Sequence, residues 1–313
     1  MAGVKERACK ASAMTRWTPA DLPDQTGRTA LVTGANSGLG FHTSLELARK
    51  GSRVLMACRN PAKAQDALGR VRLAVPNAGV ELVALDLASL ASIETAAADI
   101  AQRAPFLDLL VNNAGVMAVP RSLTADGFEK QFGTNHLGHF ALTGRLLPLL
   151  LKANAARVVT VSSGAHKIGR MDFEDLMGTG GYHRWRAYGQ SKLANLLFTA
   201  ELDRRAGGRL LAAAAHPGYA ATHLQEGQGQ PAFEALMKIG NKVIAQSDAQ
   251  GSWPSLYAAT APDVKGNDYV GPHLLELRGN PVRVGRSKQA SSLPDAARLW
   301  DVSEQLTGVS YSF

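Results

Sequence analysis

The sequence predicts an α/β fold: a doubly wound parallel sheet of about seven strands, covered by helices on both faces and formed by one domain. Three observations carry this prediction. From residue 28 onward, short β-branched or Leu-rich runs alternate with longer Ala/Leu helical patterns, the sequence form of repeated βαβ units. The stretches between strands are long enough for right-handed crossovers. No Pro/Ser-rich linker divides the 313 residues, and a 45% hydrophobic content suffices for one large core.

Strands are expected near residues 29–33, 53–57, 80–85, 107–111, 156–161, 209–215 and 268–270. Helices are expected near 39–50, 61–74, 89–103, 125–133, 135–153, 188–206, 232–245 and 248–260. Two segments resist this rhythm: 164–187, rich in Gly, His and Arg, and 216–231, with its Gly and Gln residues. Each follows the C-terminal end of a strand, where open α/β sheets bind ligands.

The formal charge of +8 invites a nucleic-acid partner until the excess is located. Residues 1–16 hold Lys5, Arg7, Lys10 and Arg16 against Glu6 alone, and residues 277–290 hold Arg278, Arg283, Arg286 and Lys288 unopposed. The body between is nearly neutral. With no helix-length stripe of cations interleaved with aromatics, the reading is no nucleic acid but solvated basic segments. No apolar run reaches a bilayer span, so no membrane span is expected. Cys9 and Cys58 are too few for a disulfide framework, and the basic N-terminus lacks a signal-peptide h-region, which together point to the cytoplasm. Met14 would serve equally well as a start, leaving residues 1–13 a dispensable extension.

The first strand, Thr29-Ala-Leu-Val-Thr33, runs into Gly34-Ala-Asn36-Ser37-Gly38-Leu39-Gly40 and then a helix. Such glycines allow a tight turn and close backbone approach to a pyrophosphate, which the helix N-terminus attracts. This is a Rossmann-type dinucleotide turn, although Gly-rich turns also close ordinary βα loops. The second strand ends in Arg59-Asn60, where a carboxylate would be expected if the ribose carried a free 2′-hydroxyl. A guanidinium there suits a 2′-phosphate and favours NADP(H) over NAD(H). Otherwise Arg59 is a solvent-facing start to the next helix. Asp86, followed by Leu87, either bonds the adenine edge or caps the following helix.

Further along come Asn112-Asn113-Ala114-Gly115, Asn135, Ser162-Ser163 and Tyr188-Gly-Gln-Ser-Lys192. Tyr188 and Lys192, four apart, share one helix face, and an ammonium beside a phenol lowers the tyrosine pKa toward working pH. That makes a usable acid/base. A lone pair of this spacing is more commonly a helix-surface contact, and paired asparagines are common turn formers. In this order, however, the motifs resemble the short-chain dehydrogenase/reductase family over residues 27–270. Ala57-Cys58-Arg59-Asn60, Asn135-His-Leu-Gly-His-Phe140 and the extended stretch between Ser163 and Tyr188 resemble its retinol dehydrogenase and WW-domain oxidoreductase branch.

The resemblance implies hydride transfer between a nicotinamide and a carbonyl or alcohol. Tyr188 would exchange a proton with the substrate oxygen, Ser163 rather than Ser162 would hydrogen-bond that oxygen, and Lys192 would also hold the ribose. Asn135 would orient a water in a proton relay. Asn113, Ala114 and Gly115 would line the adenosine side, and Pro217, Gly218, Tyr219 and Thr222 would meet the nicotinamide carboxamide and diphosphate, Tyr219 through its backbone N–H or C=O. Residues 1–26 are then an N-terminal extension, 27–270 the catalytic unit with a lid at about 223–246, and 271–313 a C-terminal extension covering the sheet edge or the lid. Gly227 and Gly229 would hinge that lid, and Phe233, Leu236 and Met237 would face the substrate or the core.

The expected substrate is an apolar aldehyde, ketone or alcohol. Helices 135–153 and 188–206 resemble those used for family homodimers and homotetramers. His136, His139, His166 and His183 are not spaced as a ligand set, so no metal is expected, and His166, Tyr182 and Trp185 would reach the substrate mouth. Two other functions remain open: a non-catalytic NADP-binding regulatory protein, against which the intact Ser163, Tyr188 and Lys192 argue, and a C=C double-bond reductase, separated only by which substrates turn over.

Overall fold

The structure, a computed structural model, describes residues 17–219 and 246–313. Eight strands form one sheet in the order β3-β2-β1-β4-β5-β6-β7-β8. They are β1 Thr29–Thr33, β2 Arg53–Cys58, β3 Val80–Ala84, β4 Leu109–Asn112, β5 Arg157–Val161, β6 Leu211–Ala215, β7 Tyr269–Leu274 and β8 Arg278–Arg283. All neighbours run parallel except β7 and β8, which form an antiparallel hairpin. The order reverses between β2-β1 and β4, which opens a crevice beyond the C-terminal ends of β1 and β4.

Both sheet faces are buried, because alternate residues of each strand enter different cores. Leu31, Leu55, Leu110 and Val158 pack under α3 (Leu90–Arg103), α5 (Gly138–Leu150) and α6 (Arg184–Ala206). Ala30, Val32, Val54, Met56 and Val111 pack under α1 (Gly38–Arg49) and α2 (Pro61–Ala74). The remaining helices are α4 (Lys130–Phe132), α7 (Asp248–Gly251), α8 (Trp253–Thr260) and α9 (Leu293–Thr307). Between α4 and α5 lies a π turn, Gly133–Leu137.

The structure departs from the sequence reading in several places. The helix expected at 125–133 shrinks to α4, because Gly127 at φ 84° makes a tight turn closed by a Leu123–Glu129 bridge. The helix expected at 248–260 divides where Pro254 opens a new first turn. Helix α6 begins at Arg184 rather than 188. The eighth strand escaped prediction because Gly279 and Pro281 mark it as non-strand; as the edge strand it tolerates both. The basic segment 277–290 is not unopposed: Arg283 meets Asp268 at 2.7 Å and Asp263 at 3.3 Å, and Arg286 bonds Asn267.

Helix α9 packs on α6. Trp300, 1% exposed, stacks on Phe198 at 5.9 Å and meets Phe140 edge-on at 5.1 Å, while the Tyr311 hydroxyl donates to Phe140 O at 2.6 Å. Residues of the C-terminal segment thus pack on α5 and α6 at Phe140 and Phe198. Among the described residues no helix is long and apolar enough to cross a membrane.

Candidate active site

A cavity of about 540 Å³ opens at the reversal of strand order. One wall is the β1–α1 turn. Gly38 takes φ 54°, a conformation that disfavours a side chain, and Ser37, which caps α1, makes no side-chain cap hydrogen bond. The first N–H groups of such a helix have no partner within the helix and are open to an acceptor from outside it. Gly40 serves close approach: a Cβ there would run into the Gly34 carbonyl and the Asn113 amide. We expect Gly40→Ala to lower stability by about 1–3 kcal/mol and to weaken nucleotide binding, read by thermal melting and titration calorimetry. Unchanged values in both would show that the turn has slack.

Asn36, Ser37, Gly38, Leu39, Arg59, Asp86, Leu87, Asn113, Ala114 and Gly115, all named from the sequence as cofactor-binding, line this cavity. So does Lys63, which the sequence reading missed. Its signal was present: Asn60 caps α2 and accepts from Lys63 N, with Pro61 at the first helical position, so Lys63 lies in the same first turn that Arg59 precedes. Arg59 and the Lys63 ammonium form no ion pair among the described residues, and Asp86 is the only acid in the described lining. Asp86 does not cap α3, a place taken by Ser89; one of its oxygens accepts from Ala88 N at 2.9 Å. Glycine turn, uncapped helix start and paired cations make a donor set that suits a phosphorylated dinucleotide.

Gly115 joins this cavity to the second group of residues: a Cβ placed on it would lie 3.0 Å from Asn135 Oδ1 and 3.6 Å from Lys192 Nζ. Tyr188 and Lys192 share one face of α6, both buried. Ser163 sits just after β5, near enough to the Tyr188 phenol to favour its ionised form, and caps the short 3-10 helix Gly164–Ile168 by accepting from Ala165 N at 3.2 Å. Ser162 is buried and donates to Lys192 O at 2.8 Å, so it anchors the helix while Ser163 faces the phenol.

The electrostatics differ from the expectation. Burial pushes the Tyr188 phenol up to about 12, opposed by the nearby Ser163 side chain. Lys192 does not pull it down: Nζ donates to Val161 O at 3.0 Å, lies 5.7 Å from the phenol ring centre, and is itself lowered to about 8 by burial.

Asn135 is also brought here, in the π turn. Both of its amide N–H groups are used within the chain: Nδ2 donates to Val116 O and Ser191 Oγ, while Oδ1 accepts from Val116 N. No side-chain donor is left to hold a water. The Tyr219 N–H donates to Leu277 O, and its carbonyl accepts from Gln246 N. Pro217 O accepts from Gln246 Nε2, and Gly218 N donates to His216 Nδ1. Thr222 and residues 223–245 of the expected lid lie outside the described residues.

His166 does not reach a substrate mouth; it is fully buried, with Nδ1 on Ser163 O and Nε2 accepting from Ser287 N. The Tyr182 hydroxyl donates to Val119 O and accepts from Gln131 Nε2. Trp185 stands edge-on to Tyr188 at 6.2 Å.

The family model for short chain dehydrogenases matches residues 28–232. Among curated proteins, the chain is 40% identical to mouse retinol dehydrogenase 14 over 301 residues, covering 90% of this chain and 86% of the relative. It is 39% identical to mouse polyprenol dehydrogenase over 299 residues, covering 93% and 87%. Among solved structures, an uncharacterized protein of Mycobacterium paratuberculosis superposes with a TM-score of 0.78 at 46% identity, covering 96% of this chain and all of that one. A Shigella flexneri short chain dehydrogenase complexed with NADP shares the fold, with a TM-score of 0.62 at 24% identity, covering 80% and 97%. A nucleotide cavity at the switch point, an adjoining Ser–Tyr–Lys cluster and relatives of this kind lead to one statement: the chain belongs to the short-chain dehydrogenase family, and is a nicotinamide-dependent oxidoreductase with retinol and polyprenol dehydrogenases among its relatives.

Proposed function

We propose that this oxidoreductase uses NADP(H) to interconvert an apolar aldehyde or ketone with its alcohol, with Ser163, Tyr188, Lys192 and Asn135 as the active set. The observation that carries the proposal is that Tyr188 and Lys192 are buried on one face of α6, with Ser163 beside the phenol and Lys192 next to Gly115, which lines the same cavity as Arg59 and Lys63. The cofactor, when bound, supplies the hydride. The turn from Gly34 to Gly40 would hold its diphosphate, Arg59 and Lys63 a 2′-phosphate, Asp86 and Leu87 the adenine, and Asn113 to Gly115 the ribose side.

In reduction Tyr188 donates its proton to the substrate oxygen, and Ser163 hydrogen-bonds that oxygen as charge develops on it. In oxidation the proton returns to Tyr188. Lys192 holds the nicotinamide ribose and supplies positive charge to this end of the site. Asn135 would orient a water in a proton relay; both of its amide N–H groups are engaged, so the water would sit on an acceptor oxygen.

The names of the relatives, retinol and polyprenol dehydrogenases, support an apolar alcohol as the substrate class. The two cysteines support a reducing compartment, the cytoplasm. The test is NADPH consumption with a panel of apolar aldehydes and ketones, run beside α,β-unsaturated carbonyls. Turnover of the first group with alcohol as product supports the reading. Saturation of the double bond alone, or NADPH binding without any turnover, overturns it.

A further inference from the structure

His139, in α5, lies one helical turn beyond Asn135, is 1% exposed, and has no part in the chemistry above. Its ring nitrogens reach two different parts of the site: Nε2 is 2.9 Å from Thr33 Oγ1, and Nδ1 is 3.0 Å from Asn135 O. Counting donors fixes the direction of each bond. The Thr33 hydroxyl accepts from Asn113 N at 2.9 Å and from Ala114 N at 3.0 Å, which uses both of its lone pairs. Its single proton must therefore be donated, and the nearer acceptor is His139 Nε2, since Val111 O lies at 3.4 Å. An accepting Nε2 leaves the ring proton on Nδ1, and Asn135 O can only accept. Both bonds are satisfied by one neutral tautomer. Burial favours that neutral ring, lowering its pKa to about 4.

The bonds form a continuous chain. Backbone groups of the nucleotide-lining loop, at Asn113 and Ala114, rest on Thr33; Thr33 rests on His139; His139 holds the Asn135 carbonyl. The Asn135 amide grips Val116 and Ser191, whose hydroxyl donates to Tyr188 O at 2.8 Å. The π turn makes this reach available: Gly138 N–H bonds Gly133 O five residues back, so carbonyl pairing there departs from the ordinary helical pattern.

We propose that His139 is a positioning residue that ties the nucleotide loop to the catalytic helix through Thr33 and the Asn135 carbonyl. The proposal rests on the active set given above but makes a separate claim, because it concerns the register between two elements.

Three variants test it: His139→Leu, which fills the space without bonds, His139→Gln, whose amide oxygen can accept from Thr33 while one of its two N–H groups donates to Asn135 O, and His139→Asn, too short to span both partners. The expected result is a kcat about tenfold lower in the Leu and Asn variants, with the aldehyde KM changed less than twofold, and recovery of most of the activity in the Gln variant. Amide hydrogen exchange at Asn113, Ala114 and Val116, measured without cofactor or substrate, should quicken in Leu and Asn and stay near wild type in Gln. Wild-type kcat and exchange in His139→Leu, or an equal fall in all three variants, overturns the proposal. If the wild-type protein turns over no carbonyl, the reaction assigned above fails, while the exchange rates still decide His139. Should His139→Leu not fold, the comparison of Gln with Asn decides.

Discussion

Tyr188→Phe is expected to lower kcat by on the order of a thousandfold in both directions while the Kd for NADPH stays within twofold. The substitution removes only the hydroxyl. The ring remains against Trp185 and near Lys192. Loss of activity therefore reports chemistry rather than folding, and undiminished turnover would sink the mechanism. The same phenol sets the pH dependence. Held up to about 12, it is protonated throughout the neutral range, so the acid needed for carbonyl reduction is present below that value and the base needed for oxidation is scarce. Reduction should show a kcat/KM that is level near neutrality and falls only on the alkaline side. Oxidation should rise with pH. A kcat/KM for oxidation that is level from pH 6 to 8 would mean that the phenol ionises far more easily than its buried setting allows.

The second large effect is on cofactor choice. Arg59→Ala and Lys63→Ala should each raise the KM for NADPH roughly 10- to 100-fold, since a charge-assisted bond to phosphate is worth about 1.5–3 kcal/mol, and leave that for NADH nearly unchanged. Both cations are exposed at the end of β2 and the first turn of α2, so neither change disturbs the core. Their effects should combine in the double variant, because both would face one phosphate and the α2 N-terminus adds its own positive end. Equal losses for NADPH and NADH would refute a 2′-phosphate role.

Most of the sheet is legible in the sequence because its strands are buried on both faces and read as continuous apolar runs. β8 is not, since a polar edge strand with Gly279 and Pro281 carries no such run. α9 is a different case: Ser292 as cap, Pro294 in the first turn, and Ala296, Leu299, Trp300 and Ser303 on the buried face were a readable helix signal. In the site, Ser163, Tyr188 and Lys192 are legible because motif order and helical spacing place them together. What spacing does not convey is where the partners come from. The Lys192 ammonium turns to Val161 O, Tyr219 is engaged by Leu277 across the β7–β8 turn, and the Asn135 amide is consumed by Val116 and Ser191. Each of these bonds joins residues from separate elements, and the burial that raises the Tyr188 phenol is likewise a property of the assembled layers.

The aromatic cluster behind α6 bears on the order in which the molecule is built. Phe140 and Phe198 are completed by Trp300 and Tyr311, and the bond from Tyr311 to Phe140 spans 171 residues. During synthesis, the outer side of the catalytic helix stays open until residues 300–313 have left the ribosome. Closure of this layer is therefore a non-local step, which large sequence separation makes slow.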